Sequence, residues 1–419
     1  MLDFVKVGFD TPSNSKKLYI SPEFAIKRPR DLMIKGKSFY AIWDEEAGLW
    51  SKDEYDVQRM VDKMVYDYAE KCNMDNVQLK LMSNFSSNKW NQWIKYCKSL
   101  PDNYKELDSK IIFANQKINK TDYATRQLNY PLEECPTPAY DEIMSILYDP
   151  SEREKLEWAI GAIITGDSKN IQKFMVLYGG PGTGKGTVIR IIEMLFDGYC
   201  GYFDSKSLGS RSSEFALEDF KDNPLIAIDP DGNISRLEDN TKLNTIVSHE
   251  TMTVNEKFKS KYLQRFHSFI FIGSNNPVKI TDAKSGLLRR LIDVSPTGNT
   301  IPPKRYDELM EQVKFELPGI AYHCLGVYEK MGSKYYNSYV PLSMMSTTND
   351  MYSFMEDNYL FFTEECKDGV GLNTIWLRYK EYCEDSMVQY PMSKRVFKSE
   401  LKNYFDTFKE RTSNTTNWY

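Results

Sequence analysis

The sequence predicts an α/β core, with a mixed α+β region before it and a mainly helical region after it. Three observations lead there. Between about residues 173 and 335, short apolar runs such as FMVLY, PLIAI and FIFI each pass into a loop or a helical pattern, the alternation of an α/β sheet. Earlier residues mix short strand-like and helix-like pieces, whereas residues 351–419 read mostly as helix. Punctuation separates the parts: Pro136 and Pro138 on one side, the Tyr/Ser/Met-rich run GSKYYNSYVPLSMMSTTND on the other. The expected organisation is an α+β N-terminal domain over 1–135, a helical connector over 136–170, the α/β core over 171–335 and a C-terminal domain over 345–419.

Within the first region, KSFYAIWDEEAGLW (37–50) reads as a hairpin. The following DEYDVQRMVDKMVYDYAEKC (53–72) sets Val57, Met60, Val61, Met64, Val65 and Tyr68 at helical spacing. SNKWNQWIKYCKSL reads as another helix, with Trp90, Trp93 and Lys95 open to a core role or to stacking on a base. KIIFANQKINKTDYATRQLNY reads as strand, turn, strand. Two amphipathic helices are expected around Tyr140–Tyr148 and Ser151–Thr165, the second with Leu156, Ala159, Ile160 and Ile163 on one face.

Composition narrows the class. The chain has 419 residues, 41% of them hydrophobic, and a net charge of -5. That excludes a protein holding nucleic acid by bulk positive charge but leaves room for local basic patches. Seven cysteines lie far apart with no C-x-x-C pair, which argues against a zinc ribbon and suits free thiols in a reducing cytoplasm. No apolar run of membrane-spanning length and no signal-type N-terminus is present, so a cytoplasmic protein without membrane partners is expected.

The strongest motif is FMVLYGGPGTGKGTVIRIIEMLF (174–196). An apolar strand enters Gly179, Gly180, Pro181, Gly182, Thr183 and Gly184, and a helix leaves from Lys185, Gly186 and Thr187 with Val188, Ile191, Ile192 and Leu195 inward. Glycines let backbone N–H groups turn toward an anion, and the helix N-terminus adds its positive end. Lys185 is the residue for the β- and γ-phosphates of ATP. The usual loop follows its lysine directly with Ser or Thr as a Mg²⁺ ligand. Here Gly186 intervenes, so Thr187 is the candidate for the metal or for the α-phosphate.

Four further elements follow in order. PLIAIDPD (224–231) is an apolar strand ending in acid: Asp229 is placed for Mg²⁺ and Asp231 is the candidate to polarise water, although Asp-Pro-Asp-Gly also makes a turn. Thr251–Tyr262 alternates like a hairpin with Lys257, Lys259 and Lys261 on one face and Phe258 available to sugar or base, unless this is only a solvated face. FIFIGSNNPV (269–278) ends in Asn275, an amide suited to orienting an attacking water. SGLLRRLIDVSP (285–296) carries Arg289 and Arg290, either of which suits a finger on a neighbouring subunit's γ-phosphate. In the tail, Ser393 starts a helix bearing Lys394, Arg395 and Lys398, readable as DNA-contacting or as a solvated basic face.

That order of motifs resembles the superfamily 3 helicases of the AAA+ class, particularly the primase-helicases of bacteriophages, phage satellites and poxviruses. GGPGTGKGT, KLNTIVSHE-x₅-EK-x-K, GSNNP and GLLRRLI carry the resemblance across about residues 173–296, with weaker similarity on both sides. It implies a homo-hexameric ring that hydrolyses ATP between subunits and draws one strand of single-stranded or forked DNA through its channel, 3′ to 5′. By position it implies Lys185 and Thr187 for nucleotide, Asp229 for metal, Asn275 as sensor, Lys257 and Lys259 as the DNA-gripping hairpin, and Arg289 or Arg290 as the finger. The C-terminal stretch 376–405 is similar to the family's winged helix. No histidine precedes His249, so the archaeal-eukaryotic type of primase site is not expected, and a separate primase or replication initiator is a candidate partner. Two other readings stay open: an ATP-gated origin-binding or remodelling ring, and a P-loop nucleotide kinase, for which no acceptor site or basic lid is evident.

Overall fold

The computed structural model describes residues 2–405 except 11–16, 25–28, 36–37, 74–76, 83–90, 92, 94, 96–102, 211–214, 233–239, 256–260, 279–285, 343, 346–348, 367–368 and 389–390. The chain divides into two compact units, Met1–Leu132 and Glu133–Tyr419.

In the first unit, β1 (Val5–Asp10) pairs antiparallel with β2 (Tyr19–Phe24). β3 (Leu32–Lys35), β4 (Ser38–Asp44) and β5 (Leu49–Ser51) form an antiparallel meander, so the expected hairpin is present. Helix α1 (Glu54–Cys72) starts at Asp53, whose side chain accepts from Tyr55 N, and buries Val57, Val61 and Val65 one turn apart. β6 (Gln78–Leu79) adds to β2 in parallel. Trp93 is buried against Phe4, ring centroids 4.7 Å apart, and therefore serves the core. Trp90 lies outside the described residues, as does most of the expected helix around it.

The strand-turn-strand expected over 110–130 is corrected. Two extended segments do face each other through Leu128 N→Ile112 O and Ala114 N→Tyr130 O, but no strand forms, and a 3₁₀ turn occupies Lys120–Asp122. Side chains take the bonds a ladder would need. Gln127 Nε2 donates to the carbonyls of Phe113 and Gln116, and Asp108 accepts from Thr125 N.

The second unit is built on a five-stranded parallel sheet of β7 (Phe174–Tyr178), β8 (Cys200–Tyr202), β9 (Ile226–Asp229), β12 (Phe269–Ser274) and β13 (Leu291–Val294), in the order β13-β7-β12-β9-β8. Its inner strands are buried and, up to their polar ends at Asp229 and Ser274, apolar, because both faces are covered. This α/β arrangement is consistent with a P-loop NTPase-like core. β10 (Thr251–Val254) and β11 (Tyr262–Arg265) form a separate antiparallel hairpin.

Helices α2 (Pro138–Leu147) and α3 (Pro150–Thr165) pack against the long α7 (Pro303–Met331), which follows α4 (Lys185–Leu195), α5 (Ser205–Leu208) and α6 (Thr241–Val247) in the chain. The one-faced helix expected at α3 is instead buried all round from Lys155 to Ile164. Its polar groups are therefore paired: Glu157 meets Arg153, His323 and the Tyr140 hydroxyl, while Lys155 donates to Glu152 and to Asp293 O. The Tyr-rich run after α7 is also tied down, with Tyr336 edge-on to Trp158 at 5.0 Å and Tyr339 hydrogen-bonded to Asp293.

Beyond it, α8 (Asp350–Asp357), α9 (Leu372–Asp385) and α10 (Lys394–Leu401) enclose a core of Phe354, Ile375, Tyr379, Phe397 and Leu401. No two-stranded wing appears among the described residues. Nor, among them, is any helix long and apolar enough to cross a membrane.

Candidate nucleotide site

The glycine loop connects β7 to α4 (Lys185–Leu195), which buries Val188, Ile191, Ile192 and Leu195. Gly182 and Gly184 take left-handed conformations at φ 75° and 101°, available to glycine at little cost, and so turn the chain into the helix. Lys185 is the first helical residue and is buried. Its Nζ donates to Gly179 O at 2.6 Å, Gly180 O at 2.7 Å and Asn275 Oδ1 at 2.9 Å. Burial draws its ammonium below the usual lysine range, and attraction to Asp231 opposes that.

Strand order explains the partnership. β12 lies between β7 and β9, so Asn275, the residue just past its C-terminal end, sits between the loop and the acidic strand end. Asn275 Nδ2 is 3.4 Å from Asp231 Oδ1, completing a row Lys185–Asn275–Asp231. The Asp-Pro-Asp-Gly stretch is indeed a turn, folded over β12: Gly232 N donates to Gly273 O at 2.7 Å. A Cβ on Gly273 would come within 2.4 Å of Pro230 O, so this approach requires glycine.

The two acids differ. Asp229 is buried, with its carboxylate accepting from Ser205 N at 2.8 Å and Asp231 N at 3.3 Å. Asp231 is exposed and lines a cleft of about 510 Å³ together with Lys185, Thr187 and Asn275. Thr187 and Asp231 thus offer the cleft hard oxygen donors, a set that fits Mg²⁺.

The far wall was not foreseen from the sequence. Tyr306, on the first turn of α7, places its hydroxyl 3.5 Å from Thr187 Oγ1 and 3.5 Å from Arg190 Nη1. Arg190 carried one available signal, lying three residues after Thr187 and so on the same helix face. Tyr306 carried none, because only the packing of α7 brings it there.

The remaining candidates lie elsewhere. Arg290 is buried, its guanidinium donating to Ser248 Oγ at 3.0 Å and Gly286 O at 2.7 Å. Arg289 is exposed, and its carbonyl accepts from the buried Lys173 Nζ at 2.6 Å. Neither arginine is among the described residues lining the cleft of its own chain. Lys257, Phe258 and Lys259 lie outside the described residues, whereas Lys261 is exposed. Ser393 caps α10 through Val396 N, with Lys394 and Arg395 exposed, Lys398 half-buried, and Lys394 Nζ donating to Asn373 Oδ1 at 2.7 Å.

A model of a protein family of unknown function, DUF5906, matches residues 177–290, from the end of β7 to Arg290. No curated protein matches the chain. Among solved structures, the apo form of the NrS-1 C-terminal region is 12% identical, with 92% of this chain and 94% of that chain covered and a TM-score of 0.48. A second apo structure of that region is also 12% identical, covering 90% and 92% with a TM-score of 0.47. JCV helicase with a bound acetamide compound is 15% identical, covering 50% and 65% with a TM-score of 0.26. Similarity at this level leaves function to be read from the site.

Proposed function

We propose that this chain is an ATP-hydrolysing DNA helicase of the superfamily 3 kind, acting as a homo-hexameric AAA+ ring that translocates 3′ to 5′ on single-stranded DNA during replication of a phage or mobile element. The observation that carries it is the Lys185–Asn275–Asp231 row at the mouth of a glycine loop that opens a helix. A simple phosphate-binding turn has no need of an amide and an acid aligned with its lysine. Catalysis of γ-phosphoryl transfer to water does: a cation for the phosphates, an amide for the water and a carboxylate to polarise it.

In this reading the loop amides and Lys185, released from Gly179 and Gly180, bind the triphosphate, and Thr187 would hold Mg²⁺ with Asp229 acting through water, which leaves Asp231 to act on the attacking water. Mg²⁺ bound there offsets the charge on the phosphates. Asn275 and Asp231 orient and polarise the attacking water. Arg289, exposed where Arg290 is not, serves as the finger on the next subunit's nucleotide. Lys257, Phe258, Lys259 and Lys261 grip DNA in the channel, and Lys394, Arg395 and Lys398 add a second contact. The setting is a host cytoplasm, with a separate primase or initiator as partner.

A second reading, a nucleotide-gated remodelling ring without processive unwinding, is favoured by one observation: Pro230 separates the acids, and both Asp229 oxygens already accept backbone N–H groups. ATPase turnover with and without single-stranded DNA, alongside forked-duplex unwinding, separates the two. Wild type is expected to show DNA-stimulated turnover and unwinding, and Lys185→Ala neither. Nucleotide binding without turnover supports the remodelling ring, and phosphate transfer to a nucleoside monophosphate refutes both.

A further inference from the structure

The row of Lys185, Asn275 and Asp231 accounts for one side of the cleft, the side facing the sheet. The other side is formed by the chain between β13 and α7. It is held in place by Thr297, whose N donates to Leu147 O at 2.9 Å and whose hydroxyl donates to Ile146 O at 2.8 Å. It is anchored again by Arg305, whose Nε donates to Glu142 Oε1 at 2.8 Å. These contacts fix the start of α7, and with it Tyr306, against the end of α2.

Across the cleft stands Arg190, exposed on α4. Among the described residues no carboxylate forms an ion pair with its guanidinium, whose Nη1 donates to the Tyr306 hydroxyl at 3.5 Å. An arginine lining a cleft without an anionic partner is a place for an anion to bind. Side chains on a helix lean toward its N-terminus, so Arg190 reaches back along α4 toward Thr187 and the loop. It therefore meets whatever continues from the loop-bound phosphates toward α7. Leu147 and Ile301 also line the cleft and supply apolar surface.

We infer that Arg190 and Tyr306 form a second, nucleoside-side clamp: Arg190 takes the α-phosphate, and the Tyr306 ring and hydroxyl hold the ribose and base of a nucleoside 5′-triphosphate. This deepens the proposed function and rests on it. The clamp lies within one subunit and is made by α4 and α7, two elements that pack directly against each other. It makes the site selective for nucleotides over bare polyphosphate.

The test is calorimetric titration of the full chain with a non-hydrolysable ATP analogue and, separately, with inorganic tripolyphosphate. Arg190→Ala is expected to weaken the ATP analogue by about tenfold or more, the loss of a charge-assisted hydrogen bond. It should weaken tripolyphosphate as well. Tyr306→Ala is expected to weaken the ATP analogue to a similar extent while leaving tripolyphosphate unchanged. Tyr306→Phe keeps the packing of the ring and should show a smaller loss for the analogue alone, which covers the case in which the alanine variant fails to fold.

Lys185→Ala separates this inference from the reading beneath it. If Lys185→Ala loses analogue binding while Arg190→Ala and both Tyr306 variants stay within twofold of wild type, the clamp is refuted and the loop reading stands. If Lys185→Ala also binds like wild type, the cleft is no nucleotide site and both fail.

Discussion

Gly184 and Gly186 stand two residues apart in the same loop-helix junction, yet alanine at each is expected to change stability in opposite directions. Gly184 sits at φ 101°, where an L-residue costs about 1–2 kcal/mol. A Cβ there would also lie 2.8 Å from Leu147 Cδ1 and 3.1 Å from its Cδ2. Leu147 ends α2 and is buried, so its displacement adds about 1 kcal/mol of overpacking. Gly184→Ala should thus destabilise the second unit by about 2–3 kcal/mol. Gly186 is already helical, and a Cβ there meets nothing within 4 Å. Replacing a helical glycine by alanine gains about 0.5–1 kcal/mol. The assay is denaturant unfolding of both variants, with Leu147→Ala combined with Gly184→Ala as a third. Compared with Leu147→Ala alone, adding Gly184→Ala should cost only the backbone part, the steric part being absent from that background. Equal destabilisation by the two glycine variants would refute the conformational assignment of this loop, and with it the direction in which its amides point.

Two further expectations concern charge. Arg290→Ala should destabilise the fold by about 1–3 kcal/mol, because it strips Ser248 Oγ and Gly286 O of a buried donor, whereas Arg289→Ala should stay within about 0.5 kcal/mol and lower only the ATPase of the assembled ring; melting curves and turnover read the two effects separately, and a destabilised Arg289 variant would count against the finger. The hydrogen bond to Glu157 raises the His323 pKa above 6.5, so its contribution is fully present below that value and lost as pH rises through the higher folded one. Melting temperatures of His323→Gln should therefore lack the decline that wild type shows across this window, and parallel pH profiles would rule the pair out.

Much of the candidate site was legible in advance because its signals are local. A strand, a glycine loop and a helix contiguous over 174–196 announce an anion site without knowledge of anything distant. The same holds for the strand ends at Asp229 and Asn275, which apolar runs deliver into polar residues. The misreadings have a common cause. Helix α3 looked one-faced because Lys155 and Glu157 are charged, but these residues are buried and satisfied by groups far along the chain, Asp293 and His323 among them. Segment 110–130 has strand-like composition, yet side-chain acceptors and donors displace the ladder.

What the sequence determined by itself, then, is the inventory: a phosphate-type loop, two acids, an amide, two arginines and two short basic stretches in a slightly acidic chain. What only the tertiary structure decided is which of these meet. Placing β12 between β7 and β9 joins Asn275 to both Lys185 and Asp231, burial commits Arg290 to Ser248 and Gly286 while leaving Arg289 exposed, and the packing of α7 brings Tyr306 to Arg190. Hydrogen bonds and ion pairs act over a few ångströms, whereas the cleft pairs Asn275–Asp231, Lys185–Asn275 and Arg190–Tyr306 are separated by 44 to 116 positions in the chain, so no local pattern could specify them.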